Sequence, residues 1–193
     1  MGIEVEGPRP PHPSQARDEP LDGANGSPAA GPFQGVTIRP LTDADVDAVV
    51  AFSLDAWEPV FASFEAVMGP RVFGMVHPDW RTAQAAAVAE VCRSLDAWIA
   101  DVDGVPVGFV AVRWTEEDAT PVGEVEMIAV APAHQRAGIA GRLLGRAVDE
   151  IAARGVPLAV IGTGGDDGHA PARALYERHG FTGLPLVRYY RAL

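Results

Sequence analysis

Residues 130–155 read VAPAHQRAGIAGRLLGRAVDEIAARG, and the fold turns on how this stretch divides. It begins where VGEVEMIAVAP, residues 122–132, ends. That run has the apolar, β-rich character of a strand. From Ile139 onward, Ile139, Leu143, Leu144, Val148 and Ile151 recur at helical spacing, while Arg142, Arg146 and Asp149 point elsewhere. Gly155 and Pro157 stop the helix. Between strand and helix lies a turn carrying Gln135, Arg136 and Gly138. A helix dipole favours acidic residues at its start, so arginine here points to a use for the junction.

Gln135, Gly138 and Ala140 fit the spacing Q-x-x-G-x-A. Residues without bulky side chains let a ligand approach the main chain, and the first N–H groups of a helix have no internal partner. Such a junction suits an anion, most naturally a pyrophosphate. Arg136 and Arg142 would add charge-assisted contacts. Small residues for helix packing, flanked by solvated arginines, would look the same, and spacing alone leaves both readings open. A P-loop needs a lysine that the chain lacks, and a dinucleotide fold would place its glycine turn after the first strand.

The whole chain of 193 residues accommodates one packed domain with a tail. Hydrophobic residues make up 48% and mean hydropathy is +0.07, which fits a globular protein. A formal charge of -11 argues against nucleic acid or an anionic membrane surface as partner. No apolar run is long enough for a bilayer and no signal peptide opens the chain, so a cytoplasmic location is expected. Every basic residue is arginine. The single cysteine, Cys92, excludes an intrachain disulfide and reads as a buried thiol on an apolar helix face.

Residues 1–34 are rich in Pro, Gly and small polar residues and read as a disordered tail, His12 included. The domain is expected over residues 35–193. Val36–Arg39 suggests a strand, and Thr42 or Asp43 caps a helix carrying Val46, Val49, Val50 and Leu54. EPVFASFEAVMG reads as a second helix, PRVFGMVHP as a loop, and Asp79 as the cap of a third helix. AWIADV and VPVGFVAVRW form a hairpin about Asp103-Gly104. TEEDATP then reads as a polar loop. In the next strand Glu124 and Glu126 share one face, and Val125, Met127 and Ala129 the other. PLAVIG is a buried strand, TGGDDGHA a loop, PARALYERH a short helix, and FTGLPLVRYYRAL the last strand material.

EVEMIAVAPAHQRAGIAGRLL followed by ARALYERHGF resembles the GNAT superfamily of acyl-CoA-dependent N-acyltransferases. The first stretch is similar to that family's pyrophosphate-binding motif and the second to its C-terminal signature, in the expected order and spacing. The resemblance runs from about Val36 to the end. It implies an α/β (α+β) fold with a central mixed, mostly antiparallel sheet flanked by helices. Two parallel strands would splay to hold acetyl-CoA, and no metal would be needed. Backbone groups of Ile128, Ala129 and Val130 would meet the pantetheine arm. Main-chain N–H groups from Gln135 and Arg136 through Ala137, Gly138, Ile139 and Ala140 to Gly141 would hold the pyrophosphate. His169 stands where many relatives have an asparagine that orients the cofactor or the departing thiol.

The reaction so implied is direct attack of a primary amine on the thioester in a ternary complex. Lysine-like amines have a pKa of about 10.4, so a base must take a proton. Glu124 or Glu126 would supply it, with Glu124 favoured by spacing from Ile128, Ala129 and Val130. Tyr176 would protonate the leaving thiolate, and a backbone N–H near Ile128 would contact the oxyanion. Trp57, Phe61, Phe64, His77, Trp80, Tyr189 and Tyr190 are candidates for lining the acceptor site. The acceptor would be a small-molecule or peptide amine, and the protein a monomer or homodimer. A competing reading keeps the fold as a non-catalytic acyl-CoA sensor.

Overall fold

Five strands form one sheet in chain order: β1 (Val36–Pro40), β2 (Asp96–Val102), β3 (Val105–Glu117), β4 (Thr120–Val130) and β5 (Leu158–Ile161). The first four pair antiparallel, and β5 joins β4 in parallel. This is the mixed, mostly antiparallel sheet expected. The computed structural model describes residues 35–193, and the tail expected over residues 1–34, with His12, lies outside the described residues.

Helices cover both faces. Helices α1 (Val46–Met68), α2 (Pro70–Val76) and α3 (Trp80–Ser94) precede β2, whereas α4 (Ile139–Ala153) and α5 (Ala170–Arg178) flank β5 in sequence. Val49 of α1 and Val88 of α3 pack with Ile99, Phe109 and Ala129 on one face. Ile139, Leu143, Leu144 and Ile151 of α4 pack with Val110, Val125 and Tyr176 on the other. Ala147 completes the α4 stripe, with Val148 only partly buried. Burying a side chain of this size stabilises by about 1.5–3 kcal/mol, so the stripe on α4 is what attaches it to the sheet.

Several elements follow the sequence closely. Asp79 caps α3 by accepting from Thr82 N at 3.2 Å. Asp103 and Gly104 both take positive φ, 52° and 85°, as a two-residue hairpin turn requires. Cys92 is buried, and burial pushes its thiol up to about 11.

Other elements differ. A break before Pro59 is absent: α1 is continuous over 23 residues with Pro59 inside it. Proline removes the bond to the carbonyl four residues back. Burial of Val49, Ser53 and Phe61 on both sides of it holds the helix together. Residues expected as a loop form α2, started by Pro70 after Gly69 at φ 74°. The polar loop over residues 115–121 shrinks to Asp118-Ala119, both at positive φ, with Glu117 opposite Thr120. β5 is shorter and more exposed than a buried strand, because its outer edge has no neighbour among the described residues. Residues 181–193 form no strand: Leu184, Leu186 and Tyr189 are exposed. Pro185 lacks the N–H that a ladder needs.

Candidate active site

β5 pairs with β4 only from Val122 to Val125, opposite Leu158 to Ile161. β4 runs on to Val130 while the chain after β5 leaves the sheet through Gly162. The splay opens a cavity of about 610 Å³ bounded by β4, the turn before α4, α1, the loop after β5, and α5. That size is typical of a small-molecule site. Ile128, Ala129 and Val130 line it.

At one end stands the mouth of α4. Arg136 holds φ at 61° and Gly138 at 80°. For a residue with a Cβ such geometry costs on the order of 1 kcal/mol, and it turns successive N–H groups toward one point. The first bond across the helix start runs from Arg142 N to Gly138 O, 3.2 Å. The N–H groups of residues 139–141 therefore have no acceptor within the helix. Arg136, Gly138, Ile139, Ala140 and Gly141 all line the cavity; Ala137 lies outside its lining. Gly141 lets α5 come close, since a Cβ there would sit 3.2 Å from the His179 ring.

Two polar side chains near the mouth of α4 are engaged within the fold. Gln135 lines the cavity, but its Nε2 donates to Val130 O at 3.1 Å and so closes the turn. Arg142 donates to Val36 O at 2.9 Å, tying α4 to β1 instead of reaching for an anion. Arg178 at the end of α5, which motif spacing gave no reason to single out, lines the same cavity as Arg136.

The sheet is irregular where the two glutamates lie. Val112 faces Val125 and Ala111 faces Met127, so Glu126 has no partner on β3 and forms a bulge. The strand's alternation changes phase there. Val125 packs on the α4 side with Ile128, while Met127 and Ala129 pack on the α1 side, so Val125 does not share their face as expected. Glu126 lines the cavity and Glu124 does not. Arg113 Nε donates to Glu126 Oε2 at 2.9 Å, and that bond holds the Arg113 guanidinium above its ordinary pKa.

Tyr176 of α5 lines the same cavity and is only 8% exposed. Burial pushes its hydroxyl up to about 12, so it keeps its proton at neutral pH. Trp57 lines the cavity from α1. Phe61 stacks on Trp80 at 4.2 Å, and Phe64 on His77 at 5.8 Å, in a cluster that lies outside the lining. Tyr189 and Tyr190 are exposed and also lie outside it.

His169 lines the cavity with its Nδ1 2.6 Å from Asp166 Oδ1. Asp166 attracts no attention in the sequence, where it is one of two aspartates in a glycine-rich loop. Burial opposes its charge, but hydrogen bonding to Ser63 and His169 prevails and holds the carboxyl below its ordinary value.

The model for the Acetyltransferase (GNAT) family matches residues 65–181. Mycothiol acetyltransferase of Beutenbergia cavernae is 33% identical over 93 residues, covering 48% of this chain and 30% of that protein. Its counterpart in Thermomonospora curvata is 33% identical over 85 residues, 44% of this chain and 27% of its own length. The chain thus spans under a third of the length of these relatives. Among solved structures, aminoglycoside N-acetyltransferase AAC(6')-Iy with a bisubstrate analogue aligns with a TM-score of 0.59 at 21% identity, covering 83% of this chain and 99% of that one. A ribosomal-protein-alanine N-acetyltransferase from Brucella melitensis biovar Abortus 2308 aligns at 0.55 and 20% identity, covering 82% and 100%. At these identities the likeness is one of fold.

Proposed function

The chain belongs to the acetyltransferase (GNAT) family, and from that membership we propose that it transfers acetyl from acetyl-CoA to the primary amine of a small molecule or peptide. The observation that carries this reading is a single cavity lined by both the mouth of α4 and the Tyr176 side chain. An anion-holding end and a proton-donating group in one cleft are what a CoA thioester requires.

The residues present fit that substrate. N–H groups of residues 139–141, with Arg136 and Arg178, hold the diphosphate. The free side of β4 from Ile128 to Val130 offers its main chain to the pantetheine arm. Among the described residues no cluster of His, Cys, Asp or Glu could hold a metal ion.

The acceptor arrives as an ammonium and is drawn to Glu126, which Arg113 keeps in place. Once a base in the cleft has taken one proton from it, the freed pair on its nitrogen attacks the acetyl carbon; a C–N bond forms and the C–S bond breaks. Tyr176 gives its proton to the departing sulfur and regains one from the nitrogen.

A thiol-release assay with acetyl-CoA over aminoglycosides, polyamines, amino acids and peptide N-termini tests the proposal. Release with at least one amine, suppressed in Tyr176→Phe, is expected. Binding of acetyl-CoA without release across the panel would instead favour a sensor.

A further inference from the structure

We propose that His169, held by Asp166, is the base that takes the proton from the acceptor amine. The inference rests on the acetyl-transfer reading and deepens it.

The pair is built, not incidental. Asp166 and His169 have side chains only 8% and 16% exposed. Nδ1 of the ring lies 2.6 Å from Asp166 Oδ1. A Cβ on Gly164 would collide with Asp166 Oδ1 and His169 Nδ1, and one on Gly168 would sit 2.8 Å from Ser63 Cβ. Two glycines thus allow the loop to wrap this pair against α1. Ser63 Oγ accepts from Gly168 N at 3.1 Å, and Arg173 of α5 donates to the carbonyls of Gly164 and Asp166 at 2.6 and 2.8 Å. Phe64 of α1 lies against the imidazole at 5.4 Å, with His77 stacked on Phe64 in turn.

This arrangement fixes the tautomer. An ionised Asp166 only accepts, so Nδ1 carries the hydrogen and Nε2 keeps its lone pair. His169 shares the cavity with Glu126 and Tyr176. Glu126 is already bonded to Arg113, whereas the ring has one nitrogen left for substrate. Asp166 touches no reacting atom and is a positioning residue.

The proton balance follows. The ammonium gives one proton to His169 Nε2, and the freed pair on nitrogen forms the C–N bond. The sulfur leaves with the C–S pair and takes the Tyr176 proton, which the nitrogen's second proton replaces. His169 then passes its proton to solvent, so the sum is amide, free thiol and one released proton.

The test is the pH profile of kcat/KM for wild type, His169→Gln, Asp166→Asn and His169→Ala with and without imidazole. The assay uses acetyl-CoA and the amine turned over fastest in the panel, and calorimetry with acetyl-CoA checks that each variant binds. Wild type should lose activity on the acid side as the base becomes protonated. His169→Gln should lose that limb and about 10²-fold or more in rate. Asp166→Asn should shift the limb, and imidazole should partly restore His169→Ala. An unchanged profile in His169→Gln, or no limb in wild type, would overturn the proposal while leaving acetyl transfer intact. No thiol release with any amine would defeat both.

Discussion

Tyr176 connects sequence to chemistry through burial. Its hydroxyl is pushed up to about 12 because α5 buries it against the α4 side of the sheet. Tyr176→Phe should therefore lower kcat by about 10²-fold or more while leaving acetyl-CoA affinity near wild type, as steady-state kinetics and calorimetry would show. Asp45 illustrates a residue that stabilises instead. Arg39 donates to it at 2.8 Å, and this bond holds its carboxyl well below the usual range, against burial and with help from Thr42. A carboxyl lowered on folding stabilises above its unfolded value, near 3.9, and the effect fades as pH falls toward the folded one. Because Arg39 is 37% exposed, solvent tempers the gain. The melting-temperature gap between wild type and Asp45→Asn should be widest near neutrality and shrink progressively below about pH 4. The helix that carries Tyr176 was legible from its pattern. The choice between the two glutamates was not, because alternation assumes an unbroken strand and Glu126 forms a bulge. The Asp166–His169 pair was equally hidden, since a tight turn over Asp167–His169, in a stretch that reads as loop, brings it together.

Elements were legible where one pattern acted alone. The α4 stripe, the Asp79 cap and the Asp103-Gly104 hairpin each carry a local signal that tertiary contacts reinforce. The sequence misled where a local signal met a stronger non-local one. Pro59 marks a helix break that burial of α1 overrides, and Asp118-Ala119 turns tightly without a glycine to announce it. The C-terminal apolar residues alternate like a strand, yet no neighbour pairs with them among the described residues. Packing between α4 and the sheet is close enough to test. A Cβ on Gly123 would overlap Ile151, so Gly123→Ala should cost about 1–3 kcal/mol in urea unfolding. Leu144 is fully buried, and Leu144→Ala should cost about 2–5 kcal/mol in the same measurement.

For the whole molecule, the order of elements places the mouth of α4, a splayed strand and a buried tyrosine around one cavity. The acidic chain concentrates two arginines, Arg136 and Arg178, at that cavity. Asp55 and Glu126 line the same cavity, so its charge is mixed. The turn before α4 was legible as a motif, whereas Arg178 reaches the cavity lining only once α5 is packed in place. The most direct test is titration calorimetry of folded protein with coenzyme A, for wild type and Arg136→Glu. One site is expected in wild type, with affinity weakened about tenfold or more by the reversed charge, as for the loss of a charged hydrogen bond. Absence of binding in wild type, or equal affinity in the variant, would contradict it.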